Sequence, residues 1–292
     1  MPQKYRRSDS VVNGGNVTSK MLPVGLALSG GTARSVTHIG VIKALLEEGI
    51  PIAHVAGTSG GAVVGTFFAA GMPMEEMLEI ANGMSWGKLI SIRLSRLGFI
   101  SSKRIEDFVR SVIGDVTFEE LKTPCSVVAT NLENGQKHVF NSGPVARVVR
   151  ASCSIPQIFL PVEIDGHYYV DGGFSEYLPV DTLHEIEEMF VIAVHLAHER
   201  GIYRRPRNYL QLSIHIMSLV SKINYVVSLE KADVLVHPYT DQYSPFDFDT
   251  SAQLIDLGYD TTKALIPEIK KKWKQKSSKL QRIFKKLSPG QS

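Results

Sequence analysis

The chain has 292 residues, 43% hydrophobic and 21% charged, which excludes a disordered polymer and suffices for a core that needs no staples. Its two cysteines, Cys125 and Cys153, show no CxxC or Cys/His spacing, so a zinc site is excluded, two buried inert thiols are expected and a reducing compartment fits. The net charge of +3 divides into +8 from Glu268 onward, where nine Lys or Arg face one acid, and −5 for residues 1–267, so a nucleic-acid surface is not expected.

Residues 1–22 read as a polar leader without the apolar core of a secretory signal. No run approaches the ~20 apolar residues of a spanning helix, so any membrane contact is expected to be peripheral. VGLALS, Val24 to Ser29, predicts a short buried strand ended by Gly30 and Gly31. Val36 to Glu48 has helical periodicity closed by Gly49. Ile52 to Ala56 predicts a second strand and Gly61 to Ala70 a second helix. This order implies parallel strands with right-handed crossovers.

Further strands are expected at Ser126–Thr130, Met189–Leu196 and Val234–His237. Leu160–Ile164 and Tyr168–Val170, joined at Asp165-Gly166, predict an antiparallel hairpin. Arg207–Ala232 and Ser251–Lys276 read as helical. The expected architecture is one α/β domain over residues 23–267, a three-layer α/β/α sandwich on a mainly parallel sheet, followed by a basic tail over 268–292.

Three stretches have the residue types for chemistry. GTSGG, Gly57 to Gly61, fits G-x-S-x-G, in which small neighbours let a strained strand-to-helix turn present Ser59 as a nucleophile. A phosphate-binding turn would use the same residues. SGGTARS, Ser29 to Ser35, offers consecutive backbone amides suited to an anion or oxyanion. It matches neither the dinucleotide pattern nor the P-loop, so nucleotide binding is disfavoured. In YVDGGFSEYLPV, Asp171 stands at a bend before two glycines, where its carboxylate is free to point inward.

LALSGGTARSVTHIGVIKAL, GTSGG, VRASCSIP, PVEIDGHYYVDGG and LPV, in this order from about Val24 to Leu196, resemble the patatin-like phospholipase family, in particular its short bacterial members. SAQLIDLGYDTTKAL adds a weaker likeness. The resemblance implies hydrolysis of lipid acyl esters by a Ser–Asp dyad without histidine, metal or cofactor. Ser59 matches the nucleophile, flanked by Gly57, Gly60 and Gly61, and Asp171 matches the base. The family's G-G-G-x-[KR]-G oxyanion loop falls on Gly30, Gly31, Thr32, Ala33, Arg34 and Ser35. Thr32 and Ser35 replace glycines, and EYLP stands where many relatives have asparagines. A β-branched Thr32 is strained if its φ must be positive.

Arg34 has two open uses, contact with a substrate phosphate or bracing of its own loop. His38 is expected to be structural. One rival reading is a Ser-His-Asp hydrolase using His195 or His237; another is a lipid-binding protein of the same fold without turnover. The tail carries apolar residues at near-heptad steps among its lysines. Its first part, to Trp273, is expected to dock on the domain and the remainder to contact anionic membrane, placing the protein in the cytoplasm, peripheral to the inner membrane face. The expected substrate is a lipid or lysolipid ester.

Overall fold

The computed structural model describes residues 21–85, 87, 100–196, 205, 206 and 208–287, with side chains described to Arg282. Most of the expected leader, and His198, lie outside the described residues. Among the described residues the sheet has eight strands: β1 Val24–Leu28, β2 Ile52–Thr58, β3 Cys125–Asn131, β4 Lys137–Phe140, β5 Val162–Ile164, β6 His167–Asp171, β7 Phe190–Val194 and β8 Val234–Val236. The order is β5-β6-β3-β2-β1-β7-β8, with β4 also paired to β3. The run β3-β2-β1-β7-β8 is parallel, while β4, β5 and β6 join antiparallel.

The helices are α1 Thr37–Glu47, α2 Gly60–Ala69, α3 Met74–Asn82, α4 Lys103–Ile113, α5 Val145–Ser152, α6 Val180–His184, α7 Tyr209–Lys231 and α8 Ser251–Leu287. Side chains alternate along the strands, and that alternation builds two unequal cores. Val24, Leu26 and Leu28 of β1, with Phe190, Ile192 and Val194 of β7, face the larger core under α1, α2 and α8. Ala27, Val191 and Ala193 face the smaller core with Leu178, Leu183 and Tyr225. Helices thus cover both faces of a mostly parallel sheet. Each large side chain so buried contributes roughly 1.5–3 kcal/mol.

The strand ends differ from the sequence reading by a few residues, chiefly because β2 continues two residues further and brings Thr58 into the sheet. β4, α3, α4, α5 and α6 were not foreseen. α4 and α5 are short and amphipathic, and their apolar faces complete the larger core.

α8 is one helix of 37 residues, about 55 Å long, with Pro267 in its interior. The boundary expected between residues 267 and 268 therefore falls inside a continuous helix. Its first half packs on α1 so closely that a Cβ on Gly258 would lie 2.2 Å from the Thr37 carbonyl, and one on Gly40 would lie 1.9 Å from the Ile255 carbonyl. Beyond the proline the docking continues: Trp273 Nε1 donates to Leu22 O at 2.8 Å, and Ser277 Oγ accepts from Leu22 N at 3.0 Å. Lys270 pairs with Glu48, and Lys276 pairs with Asp233. Part of the tail's positive charge is thus neutralised by the domain itself.

One expectation needs correction. The stretch 211–231 of α7 is long and apolar enough to cross a membrane, by length and composition alone. Serines, Lys222 and Asn224 interrupt its apolar residues, so it contains no long unbroken apolar run.

Candidate active site

Ser59 follows the carboxyl end of β2 and precedes α2. Its backbone has φ 53° and ψ −124°, a conformation that L-residues adopt only under strain. Gly57 and Gly61 make the turn possible by their bareness. A Cβ on Gly57 would lie 2.7 Å from Ala62 Cα, and one on Gly61 would lie 2.4 Å from the Leu28 carbonyl oxygen. Strand β1, the elbow and the start of α2 therefore touch through backbone alone. Ser152 fixes the elbow from the other side: its Oγ accepts from Ser59 N at 2.8 Å and donates to Val128 O at 2.6 Å.

Asp171 ends β6, whose antiparallel pairing with β3 sets it opposite Ala129. Antiparallel addition lets a late strand deliver a side chain to the edge where the parallel strands end. Ser59 Oγ donates to Asp171 Oδ2 at 2.8 Å, and Gly173 N donates to Asp171 Oδ1 at 2.8 Å. Asp171 is fully buried and Ser59 is 6% exposed. Burial pushes the Asp171 carboxyl up to about 7, against the pull of its bonds from Gly173 and Ser59. The Cys153 thiol lies beside the pair and is held well above its ordinary range by burial. Cys125 and Cys153 are both buried and unpaired.

The loop after β1 closes the site. Gly30 is gripped at both ends by Tyr177: its amide donates to Tyr177 O at 3.3 Å, and its carbonyl accepts from the Tyr177 hydroxyl at 2.6 Å. The Gly30 amide expected at the oxyanion is therefore occupied. Among the described residues, the Gly31 and Thr32 amides have no acceptor, and both residues border the cavity at Ser59. Thr32 has φ 52°, so the strain foreseen for a β-branched residue is present. Ser35 takes up the space beside the elbow, since a Cβ on Gly60 would lie 1.9 Å from its Oγ.

Arg34 is buried, and its Nε and Nη2 both donate to the Tyr243 carbonyl, the first at 2.9 Å. Burial lowers its guanidinium to about 10, with Tyr177 and Asp241 opposing. Of the two uses foreseen, these contacts supply the loop brace. His38 is fully buried and its Nε2 donates to Ser29 O at 2.9 Å, which fixes the end of β1. His195 is 1% exposed and packs its ring against Tyr225 at 4.3 Å between centroids. Among the described residues no histidine bonds to Ser59 or Asp171, so the histidine-dependent rival finds no relay.

Sequence reasoning missed Ser152, Gly173, Tyr177 and the contribution of α7. Ser221 Oγ and Asn224 Nδ2 of α7 donate to the Gly173 carbonyl at 2.9 and 3.1 Å. Two cavities meet at Thr32, Ser59 and Ile155. One, about 130 Å³, is apolar and lined by Ile39, Val63, Phe67, Met77, Phe108 and Phe159 among others. The other, about 150 Å³, runs under α7 past Ser218, Ser221, Lys222 and Tyr225.

The model of the patatin-like phospholipase family matches residues 26–184, more than half of the chain. The chain belongs to this family. An uncharacterized NTE family protein of Mycobacterium tuberculosis is 39% identical over 176 residues, 59% of this chain and 49% of that protein. A Drosophila melanogaster neuropathy target esterase is 28% identical over 272 residues, and a lysophospholipase of Saccharomyces cerevisiae 26% over 268; each match covers 81% of this chain but only 19% and 16% of the larger proteins. The chain thus spans about half the length, or less, of these curated relatives.

Among solved structures, VipD of Legionella pneumophila matches with TM-score 0.54 and 17% identity over 85% of this chain and 67% of that one. ExoU of Pseudomonas aeruginosa, in complex with SpcU, matches with TM-score 0.51 and 15% identity over 85% and 52%. These likenesses bear on the patatin-like fold, whose mixed, mostly parallel sheet is the one seen here.

Proposed function

We propose that this protein is a serine acyl hydrolase acting on carboxylic esters of lipids, with Ser59 as nucleophile and Asp171 as general base and acid. The observation that carries the reading is the direct 2.8 Å bond from Ser59 Oγ to a fully buried carboxylate. An ordinary aspartate, near 3.9, is a poor base for an alcohol. A carboxyl raised to about 7 by desolvation holds a proton far more readily, and transfer concerted with attack needs no free alkoxide.

Ser59 Oγ attacks the ester carbonyl carbon while its proton passes to Asp171. Charge develops on the carbonyl oxygen, which the Gly31 and Thr32 amides and the amino end of α2 stabilise. Collapse breaks the carbon–oxygen bond, and the leaving alcohol takes the proton from Asp171. Water then attacks the acyl-Ser59, giving its proton to Asp171. The fatty acid departs as Ser59 recovers its hydrogen. The apolar cavity suits the acyl chain, and the cavity under α7, with Lys222 at its wall, suits the head-group side. Lysophospholipid and phospholipid esters both fit this division, and the lysophospholipase named among the relatives favours the single-chain substrate.

The test is fluorophosphonate labelling of wild type, Ser59→Ala and Asp171→Asn with mapping of the adduct. Label on Ser59 that is lost in Ser59→Ala and slowed at least a hundredfold in Asp171→Asn is expected. A folded wild type that takes no label at Ser59 overturns the assignment and moves the lipid-binding reading ahead.

A further inference from the structure

The outward face of α7 has no task in the proposed reaction. Leu212, Ile216, Leu219, Ile223, Val226 and Val227 recur at steps of three and four and are all exposed, Ile223 to 79%, with Leu219 also bordering the mouth of the cavity at Ser59. A contiguous apolar stripe of this kind on a water-facing helix marks an interaction surface. The opposite face of the same helix is the wall of the site: Met217, Ser221 and Tyr225 line the cavity at Ser59. One helix therefore has the reacting cleft on one side and unpartnered apolar surface on the other.

Charge and placement select the occupant. Besides Tyr209 and Tyr225, the ionisable groups of α7 are His215, Lys222, Glu230 and Lys231. Lys231 pairs with Asp181, Lys222 is exposed at the cleft, and Arg205 is exposed before the helix begins. The stripe is free of acids from Leu212 to Val227, with the exposed cations Arg205 and Lys222 beside it and the exposed acid Glu230 only at its carboxyl end, which matches an anionic lipid surface. The tail is placed differently. Trp273 and Lys276 bond the carbonyls of Leu22 and Met189, which precede β1 and β7, so this part of α8 lies at the amino edge of the sheet. Ser59 lies at the carboxyl edge.

We propose that the outward face of α7 lies on an anionic lipid surface with the cleft at its margin, and that this face, not the segment 268–292, holds the protein at its substrate. The proposal rests on the lipid-hydrolase reading above. Despite its length and hydropathy, α7 lies along the surface and does not cross it. Ser213, Ser221 and Ser228 are buried against the domain, and Ser221 and Asn224 bond the Gly173 carbonyl.

The test is sedimentation of the full chain with vesicles of equal phosphatidylcholine and phosphatidylglycerol. It compares wild type, the double variant Ile216→Gln with Ile223→Gln, and the tail variant Lys279→Gln with Arg282→Gln. Glutamine keeps helix propensity, and thermal melts check the fold; if the double variant melts early, Ile223→Gln alone replaces it. The α7 variant is expected to partition about tenfold more weakly, while the tail variant binds as wild type. Hydrolysis of the soluble ester p-nitrophenyl butyrate is expected to be unchanged in both.

Equal binding by wild type and α7 variant, no binding by wild type, or loss confined to the tail variant overturns the proposal. A wild-type dimer in light scattering that the α7 variant converts to monomer assigns the face to a second copy and also overturns it. Vesicle binding that depends on α7 in a protein that cleaves no ester supports the docking face while refuting the hydrolase reading.

Discussion

Ser59 and Asp171 stand in direct hydrogen-bond contact at 2.8 Å, so any proton that leaves the serine has the carboxylate as its first acceptor. With Asp171 raised to about 7, its carboxyl is half protonated near neutrality. The value of kcat/KM on a soluble ester is expected to rise with pH through about 7 and then level. A profile flat from pH 5 to 8 would exclude Asp171 as the titrating base. Asp171→Asn is expected to lower kcat by roughly 10²–10⁴-fold.

The same burial has a thermodynamic sign. A folded-state value above the unfolded value of about 3.8 means that the native state binds the extra proton. The resulting stability is fully present below about 4 and is lost as pH rises through about 7. Asp171→Asn removes the titrating group, so it is expected to be more stable than wild type at pH 8, by roughly 2–4 kcal/mol, with the difference shrinking toward pH 4. Urea titrations at the two pH values measure this; a larger advantage at pH 4 would reverse the assigned cause.

Thr32 holds φ 52° in the loop beside Ser59. Thr32→Gly relieves left-handed strain of about 1–2 kcal/mol while returning part of it as glycine's greater unfolded freedom. A Tm increase of about 2 °C is expected, with the amide donor retained. A fall in Tm would mean that the Thr32 hydroxyl bond to the Gly31 carbonyl outweighs the strain.

Ser152 bridges the Ser59 amide and the Val128 carbonyl. Ser152→Ala leaves both buried groups unpaired and is expected to cost about 1–3 kcal/mol of stability. Because the elbow loses its outer anchor, kcat is expected to fall while KM for a short ester changes little. Unaltered stability and kcat would show that the backbone contacts at Gly57 and Gly61 hold the elbow unaided.

The parallel strands and the elbow were legible because they are local: a buried run, a glycine punctuation and a helical period fall within a few residues of each other. Ser59 and Asp171 were legible from motifs and their order. The Gly30 amide was not, because its partner, Tyr177, lies 147 residues away and only the folded sheet brings the two together. α3, α4 and α5 escaped notice because short helices against an existing core need only one apolar edge. The helical reach of α8 past residue 276 follows the near-heptad apolar steps of the tail, but its docking was hidden, because Glu48 and Asp233, the partners of Lys270 and Lys276, lie far off in sequence. The apolar stripe on α7 was missed because polar residues of its inner face break the run.

Gly173 accepts two bonds from α7 at its carbonyl and gives its amide to Asp171. A helix that swung outward like a hatch would pull the support from under the Asp171 carboxylate it uncovered. α7 is therefore a fixed threshold beside the cleft, and Ser59 and Asp171 are already paired in the free protein. Turnover on vesicles should begin at full speed on mixing, with no initial lag, its dependence on surface concentration coming from capture alone.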